Sequence, residues 1–347
     1  MELLELLTQT PSVPGRESRI RQVIADHLAE AKLVDEMHVD PLGSLLTIRK
    51  PRGAGAAQTA PQRVMLAAHM DQIGFLVSHI HGDGTLRVNP VGGFDPRNLF
   101  ARKVRVCAAS GDLMGVMNPG GKPIHISSPE ERKKVPEINE FYIDLGMSGE
   151  QVGEQVKLGD MVVLDGPFHT VGDYVSSQCL DNRVGCWAQL RALEQLGDHA
   201  CEIHAVWTVQ EEVGLRGAVP ASYRVQPDIA IACDTTLCCQ TPGVPEEQRV
   251  SVAGGGVALH VMDSSAISDL GLIEEMEALA ETHQIPVQRA LLARGGQDGA
   301  AMQRARTGAR MVAMACPIKH IHTVTEMAHR TDLAAYVALL TAFLQSL

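Results

Sequence analysis

The chain has 347 residues, 45% of them hydrophobic and 20% charged, a globular composition long enough for two domains of ordinary size. Its net charge of −11 argues against nucleic acid and anionic membrane as partners, because nothing in that balance would neutralise phosphates. At 3% aromatic it is also poor in the rings that stack on bases or sugars.

The opening residues, Met1-Glu2-Leu3-Leu4-Glu5, are acidic and amphipathic and do not read as a secretory signal. After the turn at Pro11-Ser12-Val13-Pro14-Gly15, residues 18–31 read as a helix with Ile20, Val23, Ile24 and Leu28 on one face. Residues 45–48 read as a strand, 51–62 as an exposed, mobile Gly/Ala/Pro loop, and 63–68 as a buried strand running into His69. From about Ile73 to about Thr170, short strand-like pieces alternate with turn signals such as Gly82-Asp83-Gly84, Asn118-Pro119-Gly120-Gly121 and Lys157-Leu158-Gly159-Asp160. No long helix lies between them, which is the pattern of a small β-barrel or sandwich. An α/β rhythm starts after Asp173. Residues 182–196 form a predicted helix, with Val184, Trp187, Leu190 and Leu193 at helical intervals. Strands follow at 202–209, 229–233 and 257–261, a helix at 267–283, a strand at 287–291, a helix at 298–305, a strand at 311–315 and a closing helix at 331–347. Strands alternating with helices imply a doubly wound sheet. The expected architecture is an α/β domain split in sequence, residues 1–72 and 172–347, with a small β-barrel domain of residues 73–171 inserted into it.

The 8 cysteines form no C-x-x-C pair. They read as reduced, mostly buried small hydrophobes of a cytoplasmic protein; for the adjacent Cys238-Cys239 a buried pair beside a loop is the favoured reading and a redox-active or metal-binding pair the alternative. No apolar run approaches the roughly 20 residues of a membrane helix.

The stretch richest in chemistry is Thr208-Val209-Gln210-Glu211-Glu212-Val213-Gly214-Leu215-Arg216-Gly217-Ala218. Adjacent residues in extended or turning chain point different ways, so one of the two carboxylates can bind a metal while the other faces a water. That is the division of labour of a metal-dependent hydrolase. Further polar segments join it. His69-Met70-Asp71 follows the first core strand, Asp234-Thr235-Thr236 follows the strand at 229–233, His320-Ile321-His322 follows the strand ending at Ala315, and Asp181 stands where a loop becomes a helix. In an open α/β sheet, ligands bind beyond the carboxyl ends of the strands, and a helix N-terminus also favours an anionic side chain. Taken singly, these segments have plainer readings: a hydrogen-bonded histidine, a solvated glutamate pair, a helix-capping aspartate, a turn cap, a surface histidine. Their gathering at the polar ends of mostly apolar strands is what points to a site.

The order of these phrases resembles the tetrahedral, or deblocking, aminopeptidases, a family that includes glutamyl aminopeptidases and chains often labelled endoglucanase. His69-Met70-Asp71-Gln72-Ile73-Gly74-Phe75 resembles the family's AHMDEIGF phrase. Leu180-Asp181-Asn182-Arg183-Val184-Gly185 is similar to LDDRxG, the segment from Glu211 to Ala218 to EEVGLRGA, Asp234-Thr235-Thr236 to DVT, and Ile321-His322-Thr323 to YIHS. The resemblance spans essentially the whole chain. It implies a zinc-peptidase-like fold and two divalent metal ions per subunit, with zinc the first choice and cobalt or manganese the alternatives, since histidine and carboxylate donors without cysteine suit all three. It implies that His69 and His322 are terminal ligands, one per metal, that Asp181 bridges both, and that Glu212 and Asp234 complete the set. Glu211 is the implied general base and Asp71 the carboxylate that fixes the His69 ring. The implied activity is hydrolysis of N-terminal residues from short peptides by a metal-bridging hydroxide. The inserted barrel resembles the family's dimerisation domain, and dimers assembling into a dodecamer are the implied homo-oligomer. A cis bond at Asp181–Asn182 is implied as well.

Departures from the family phrases fall on the substrate side. The usual Gly-Gly-Thr-Asp is Gly295-Gly296-Gln297-Asp298, the usual Arg-Tyr before Ile-His is Lys319-His320, and Leu237-Cys238-Cys239-Gln240 is unusual. An amidase, a deacylase or the endoglucanase label is the alternative activity. A glycosidase, however, needs two metal-free carboxylates flanking a sugar. The remaining alternative, a non-catalytic metal-stabilised scaffold, leaves Glu211 without a role.

Overall fold

The structure is a computed structural model that describes residues 1–53 and 60–347; most of the loop expected over 51–62 lies outside the described residues. In chain order, α1 (Glu2–Gln9) and α2 (Ser18–Glu30) precede β1 (Glu36–Val39), β2 (Leu45–Ile48) and β3 (Arg63–His69). There follow β4 (Gly74–Ile80), β5 (Leu86–Val91), β6 (Arg102–Ala108), β7 (Gly111–Pro119), β8 (Phe141–Asp144), the short α3 (Gly149–Gln155) and β9 (Met161–Leu164). Next come β10 (His169–Val171), β11 (Tyr174–Ser177), α4 (Leu180–Gln195), β12 (Glu202–Thr208), α5 (Ala218–Val225), β13 (Ile229–Leu237) and β14 (Val257–Met262). The chain ends with α6 (Leu270–Thr282), β15 (Val287–Leu291), α7 (Gly299–Gln303), β16 (Arg310–Lys319), β17 (Glu326–His329) and α8 (Arg330–Ser346).

Two sheets result. The large one is ordered β1-β2-β12-β3-β13-β16-β17-β11-β10, with β14 bonded to β16 and β15 to β14. Its centre is parallel: β12 with β3, β3 with β13, and β13 with β16. Parallel strands are covered on both faces, which explains why the central strands read as unbroken apolar runs. Alternate residues of β3 part accordingly. Val64, Leu66 and Ala68 join the core made with α1, α2, α4, α6 and α8, while Met65 and Ala67 join the one made with α5 and α7. Each fully buried valine, leucine or phenylalanine in these layers contributes roughly 1.5–3 kcal/mol of transfer free energy.

The second sheet is a closed barrel, β4-β5-β8-β7-β6-β9, filled by Phe75, Val88, Val104, Val106, Met117, Phe141, Ile143 and Val162 among others. Closure removes the free strand edges that six short strands would otherwise expose. The barrel strands occupy 74–164, and β10 already pairs with β11 in the large sheet. The expected doubly wound mixed sheet flanked by helices, with a small barrel in its sequence, is the observed fold.

Several elements differ from expectation in extent. β13 and β16 run past residues 233 and 315 because they pair with each other as far as Leu237 opposite Ile318. Asp234 therefore sits inside a strand rather than after one. The helix expected over 267–283 begins only at Leu270, where the Asp269 side chain accepts the Leu272 amide as an N-cap. The helix expected over 298–305 is shorter still, 299–303.

Candidate dinuclear metal centre

Because β3, β12, β13 and β16 are parallel, their carboxyl ends meet at one edge of the sheet. Thr208 lies opposite His69, and Ala232 lies opposite Ala67, so Asp234, two residues on, is level with His69. Past β12 the chain turns sharply, with Gln210 in the left-handed region at φ 57° and the Gly217 amide returning to the Val209 carbonyl. This turn aims the Glu211 and Glu212 amides at Asp71. Its two carboxylate oxygens accept one each, both at 3.0 Å. Asp71 is fully buried, and this pairing is how a buried carboxylate without a cation is satisfied.

At the start of α4, Asp181 and Asn182 have non-helical backbone angles, and the peptide bond between them is cis, as expected. The Asn182 amide group donates to the Cys233 carbonyl at 2.8 Å and accepts from the Gly185 amide at 2.9 Å, tying the helix start to β13. Beyond β16, His320 and His322 both adopt positive φ, which folds the turn back over the site. Glu326 then joins the two halves: one carboxylate oxygen accepts the Asp181 amide at 3.0 Å and the other the His322 amide at 2.7 Å.

Two groups of donor atoms result. His69, Asp181 and Asp234 form one; Asp181, Glu212 and His322 form the other. The Nε2 of His69 is 3.3 Å from Asp181 Oδ1 and 3.7 Å from Asp234 Oδ1. The Nε2 of His322 is 3.3 Å from Asp181 Oδ2 and 3.5 Å from Glu212 Oε1. Asp181 thus offers one oxygen to each group. Ligands at about 2.0–2.1 Å around a tetrahedral ion are separated by roughly 3.3 Å, so both groups have the spacing of a divalent ion's coordination sphere. Asp181 Oδ1 is buried without a hydrogen-bond partner, as an oxygen reserved for a cation would be. The residues fit the implied pair of metals. All five expected ligands are brought together, and among the described residues no further histidine, cysteine or carboxylate belongs to either group.

Glu211 stands beside the first group and outside both, its Oε2 3.9 Å from His69 Nε2. The His69 ring is oriented chiefly by the main chain of Asp71, whose carbonyl lies 2.9 Å from Nδ1; the Asp71 carboxylate is farther, at 3.6 Å. His322 Nδ1 is likewise 3.0 Å from the Gly93 carbonyl, which comes from the barrel. In both rings the outer nitrogen serves a carbonyl and Nε2 is turned to the carboxylates, the arrangement of metal-bound histidines.

The electrostatics are those of a cation site. Burial drives Glu211 well above its ordinary range and raises Asp234 and Glu212, Glu212 to about 8. Burial also acts to raise Asp181, but His322 and His69 outweigh it and hold that carboxyl far below the usual range. Conversely, burial would lower His322, yet Asp181 and Glu212 lift it to about 10.

Three supporting residues escaped the sequence reading. Glu326, raised by burial to about 8, has no signal beyond standing four residues after His322. Asp298 was noted only for the phrase around it; it is buried, raised by burial to about 7, and bonded to the Thr208 hydroxyl. Arg183 is a fully buried cation that donates to the Leu7, Met70 and Thr10 carbonyls and to the Ser12 hydroxyl, fastening α1 and the chain after β3 to α4. Beside the ligands opens a cavity of about 600 Å³, walled on its far side by β14 and the Gly295–Gln297 segment.

The M42 glutamyl aminopeptidase family matches residues 52–339. A putative aminopeptidase of Acetivibrio thermocellus is 34% identical over 98% of this chain and 96% of its own length. Among solved structures, an aminopeptidase from the archaeon Desulfurococcus kamchatkensis is 32% identical with a TM-score of 0.93, covering 100% of this chain and 94% of that one. The TET1 peptidase of Pyrococcus horikoshii, described as assembling into a tetrahedron or a large octahedral shell, is 32% identical with a TM-score of 0.86, covering 100% and 99%.

Proposed function

We propose that this chain, which belongs to the M42 glutamyl aminopeptidase family and is a metal-dependent aminopeptidase, removes N-terminal residues from short peptides with Glu211 as its general base. The observation that carries this assignment is the division of the carboxylates: three lie in the two donor groups, and Glu211 lies beside them but in neither. His69, Asp181 and Asp234 would hold one ion, and Asp181, Glu212 and His322 the other. The chemistry such a pair supplies is Lewis acidity, which polarises a scissile carbonyl and lowers the pKa of an attacking water. Glu211, which stands beside His69 and in neither donor group, would take a proton from the attacking water and deliver it to the leaving amine. Asp71 holds the Glu211 and Glu212 amides, so that base and ligand, though adjacent, keep separate directions. Zinc is the metal we assign first, with cobalt and manganese as alternatives, because the donors are nitrogen and carboxylate oxygen without sulfur.

The same proposal divides the chain into a catalytic unit, residues 1–72 and 172–347, and an inserted dimerisation unit, residues 73–171. It extends to a homo-oligomer of dimers, a dodecamer, because the Pyrococcus horikoshii relative is described as forming a tetrahedron. A glycosidase reading is weaker, since the pair of carboxylates it needs flanking a sugar would have to come from a centre where Asp181, Glu212 and Asp234 lie in the donor groups.

The test is release of free amino acids from a peptide panel by the metal-loaded protein, with and without chelator. Glu211→Gln is expected to keep full metal content and lose activity by a factor on the order of 10³, the middle of the range for removing a general base. Substantial activity in that variant would refute the base assignment.

A further inference from the structure

The far wall of the cavity is built by β14. Ala232, Ala313 and His260 lie opposite one another across β13, β16 and β14, and the next row is Asp234, Ala315 and Ala258. Side chains opposite one another in a sheet share a face. His260 therefore projects from the same face as Asp234, and β16 between them presents only Ala313 and Ala315 there. Neighbouring strands are about 4.8 Å apart, so β13 and β14 are separated by about 10 Å. Ala313 is covered by the core made with α7, and the cavity is a trough beside it that Asp234 lines on one side and His260 on the other.

His260 is 3% exposed and lines the cavity, yet neither of its ring nitrogens has a hydrogen-bond partner. The Thr236 hydroxyl on the Asp234 side is also buried and unpartnered. Buried polar atoms are paired in the working protein, and in a substrate cavity the substrate can supply the partner. The carboxylate that acts on His260, that of Asp263, is already engaged. Asp263 Oδ1 accepts from the amides of Ser265 and Ala266 and from the Ser265 hydroxyl, and its Oδ2 accepts from Gln297 at 2.8 Å. Gln297, where the family phrase has threonine, is long enough to make that bond. Burial pushes the His260 pKa below its ordinary range, so the ring is neutral and offers one donor and one acceptor. Arg294 stands exposed at the rim. A cationic side chain entering the trough would leave water without gaining a free carboxylate, and an anionic one would be set against Asp263, with Arg294 at the exposed rim as its counter-charge. An aliphatic one would leave the imidazole unpaired.

We infer that the His260 trough receives the side chain of the substrate's N-terminal residue and selects an uncharged, hydrogen-bonding one, such as the amide of asparagine or glutamine, over an aliphatic one of the same shape. This rests on the aminopeptidase reading of the site. Asparagine and leucine are near-isosteric, so their p-nitroanilides isolate the hydrogen bond. With the full-length, metal-loaded protein, kcat/KM for the asparagine substrate is expected to exceed that for leucine by roughly tenfold or more, with the aspartate and lysine substrates both below asparagine. His260→Leu is expected to lower the Asn/Leu ratio by roughly tenfold, whereas His260→Gln, which keeps a donor and an acceptor, retains more of it. A leucine preference in the wild type, or a ratio that is unmoved in His260→Leu or falls equally in both variants, overturns the inference. Failure to release p-nitroaniline from any substrate, alanine included, overturns the aminopeptidase reading instead.

Discussion

At the scale of single residues, the site depends most on Asp181, the one side chain shared by both donor groups. Replacing it with alanine leaves His69 with Asp234 and His322 with Glu212, two donors each, and removes the only link between them. Asp181→Ala is expected to lose most of the bound metal, measured by elemental analysis after gel filtration; full occupancy would refute the bridging role. Glu17 makes a different point. It is 3% exposed, accepts the Gly15 and Gln210 amides, and is raised from 4.5 to about 7 by burial first and by Asp71 second. A carboxyl with a raised folded-state pKa keeps a proton that the unfolded chain has lost. Its contribution is therefore intact below pH 4.5, and stability falls as pH rises from 4.5 to about 7. Glu17→Gln removes that loss. Relative to wild type, the variant should gain up to about 3 kcal/mol between pH 5 and pH 8. Urea unfolding with chelator present throughout keeps metal release out of the comparison, and a constant difference between the two pH values would contradict the assignment. The catalytic phrases were legible because histidine and acidic residues at the ends of apolar strands stand out. Glu17, Arg183 and Glu326 were not, because a buried charge satisfied by backbone amides and carbonyls leaves no pattern in the sequence.

At the scale of elements, the long periodic helices and the apolar central strands were readable, and the short polar ones were not. β10 is exposed along its length, and β1, β11 and β17 are four residues each, so they carry little alternation to detect. β13 kept its strand geometry through Asp234, Thr235 and Thr236 because pairing with β16 overrides the local preference of those polar residues. The contact that places Asp181 is the packing of α4 on β13, and it turns on Gly185. A Cβ there would lie 2.4 Å from the Cys233 carbonyl oxygen and 2.4 Å from Asn182 Oδ1. Alanine gains about 1 kcal/mol in helix propensity, but overpacking against a strand backbone costs typically 1–3 kcal/mol. The clash also strikes Asn182, the residue next to the bridging aspartate. Gly185→Ala is therefore expected to lower the melting temperature by a few degrees and to weaken metal binding in a chelator competition. A variant as stable and as well metallated as wild type would show that the helix can shift without cost.

At the scale of the molecule, the two sheets do different work. Every candidate ligand stands on the large sheet, in the turns that follow its strands or at the start of α4, and the barrel supplies the Gly93 carbonyl beside His322. Among the described residues no helix is long and apolar enough to cross a membrane. The connection between β7 and β8 exposes Ile124 by 64% and Ile126 by 68%, with Val135 and the β7 residues Met114 and Val116 also largely exposed. Isolated exposed apolar residues are ordinary, but several on one unit mark a surface that is covered in the working protein. Two-fold pairing of identical chains buries the same patch on both partners, which suits a dimer built on the barrel. A glutamate at 124 and at 126 would set like charges against each other across that axis without touching the barrel core, since both side chains point to solvent. The wild type is expected to show a mass well above one chain by light scattering, and the Ile124→Glu, Ile126→Glu double variant a smaller assembly with an unchanged melting temperature of the barrel core. A monomeric wild type would reject the oligomer, and an unchanged assembly in the double variant would move the interface off this face of the barrel.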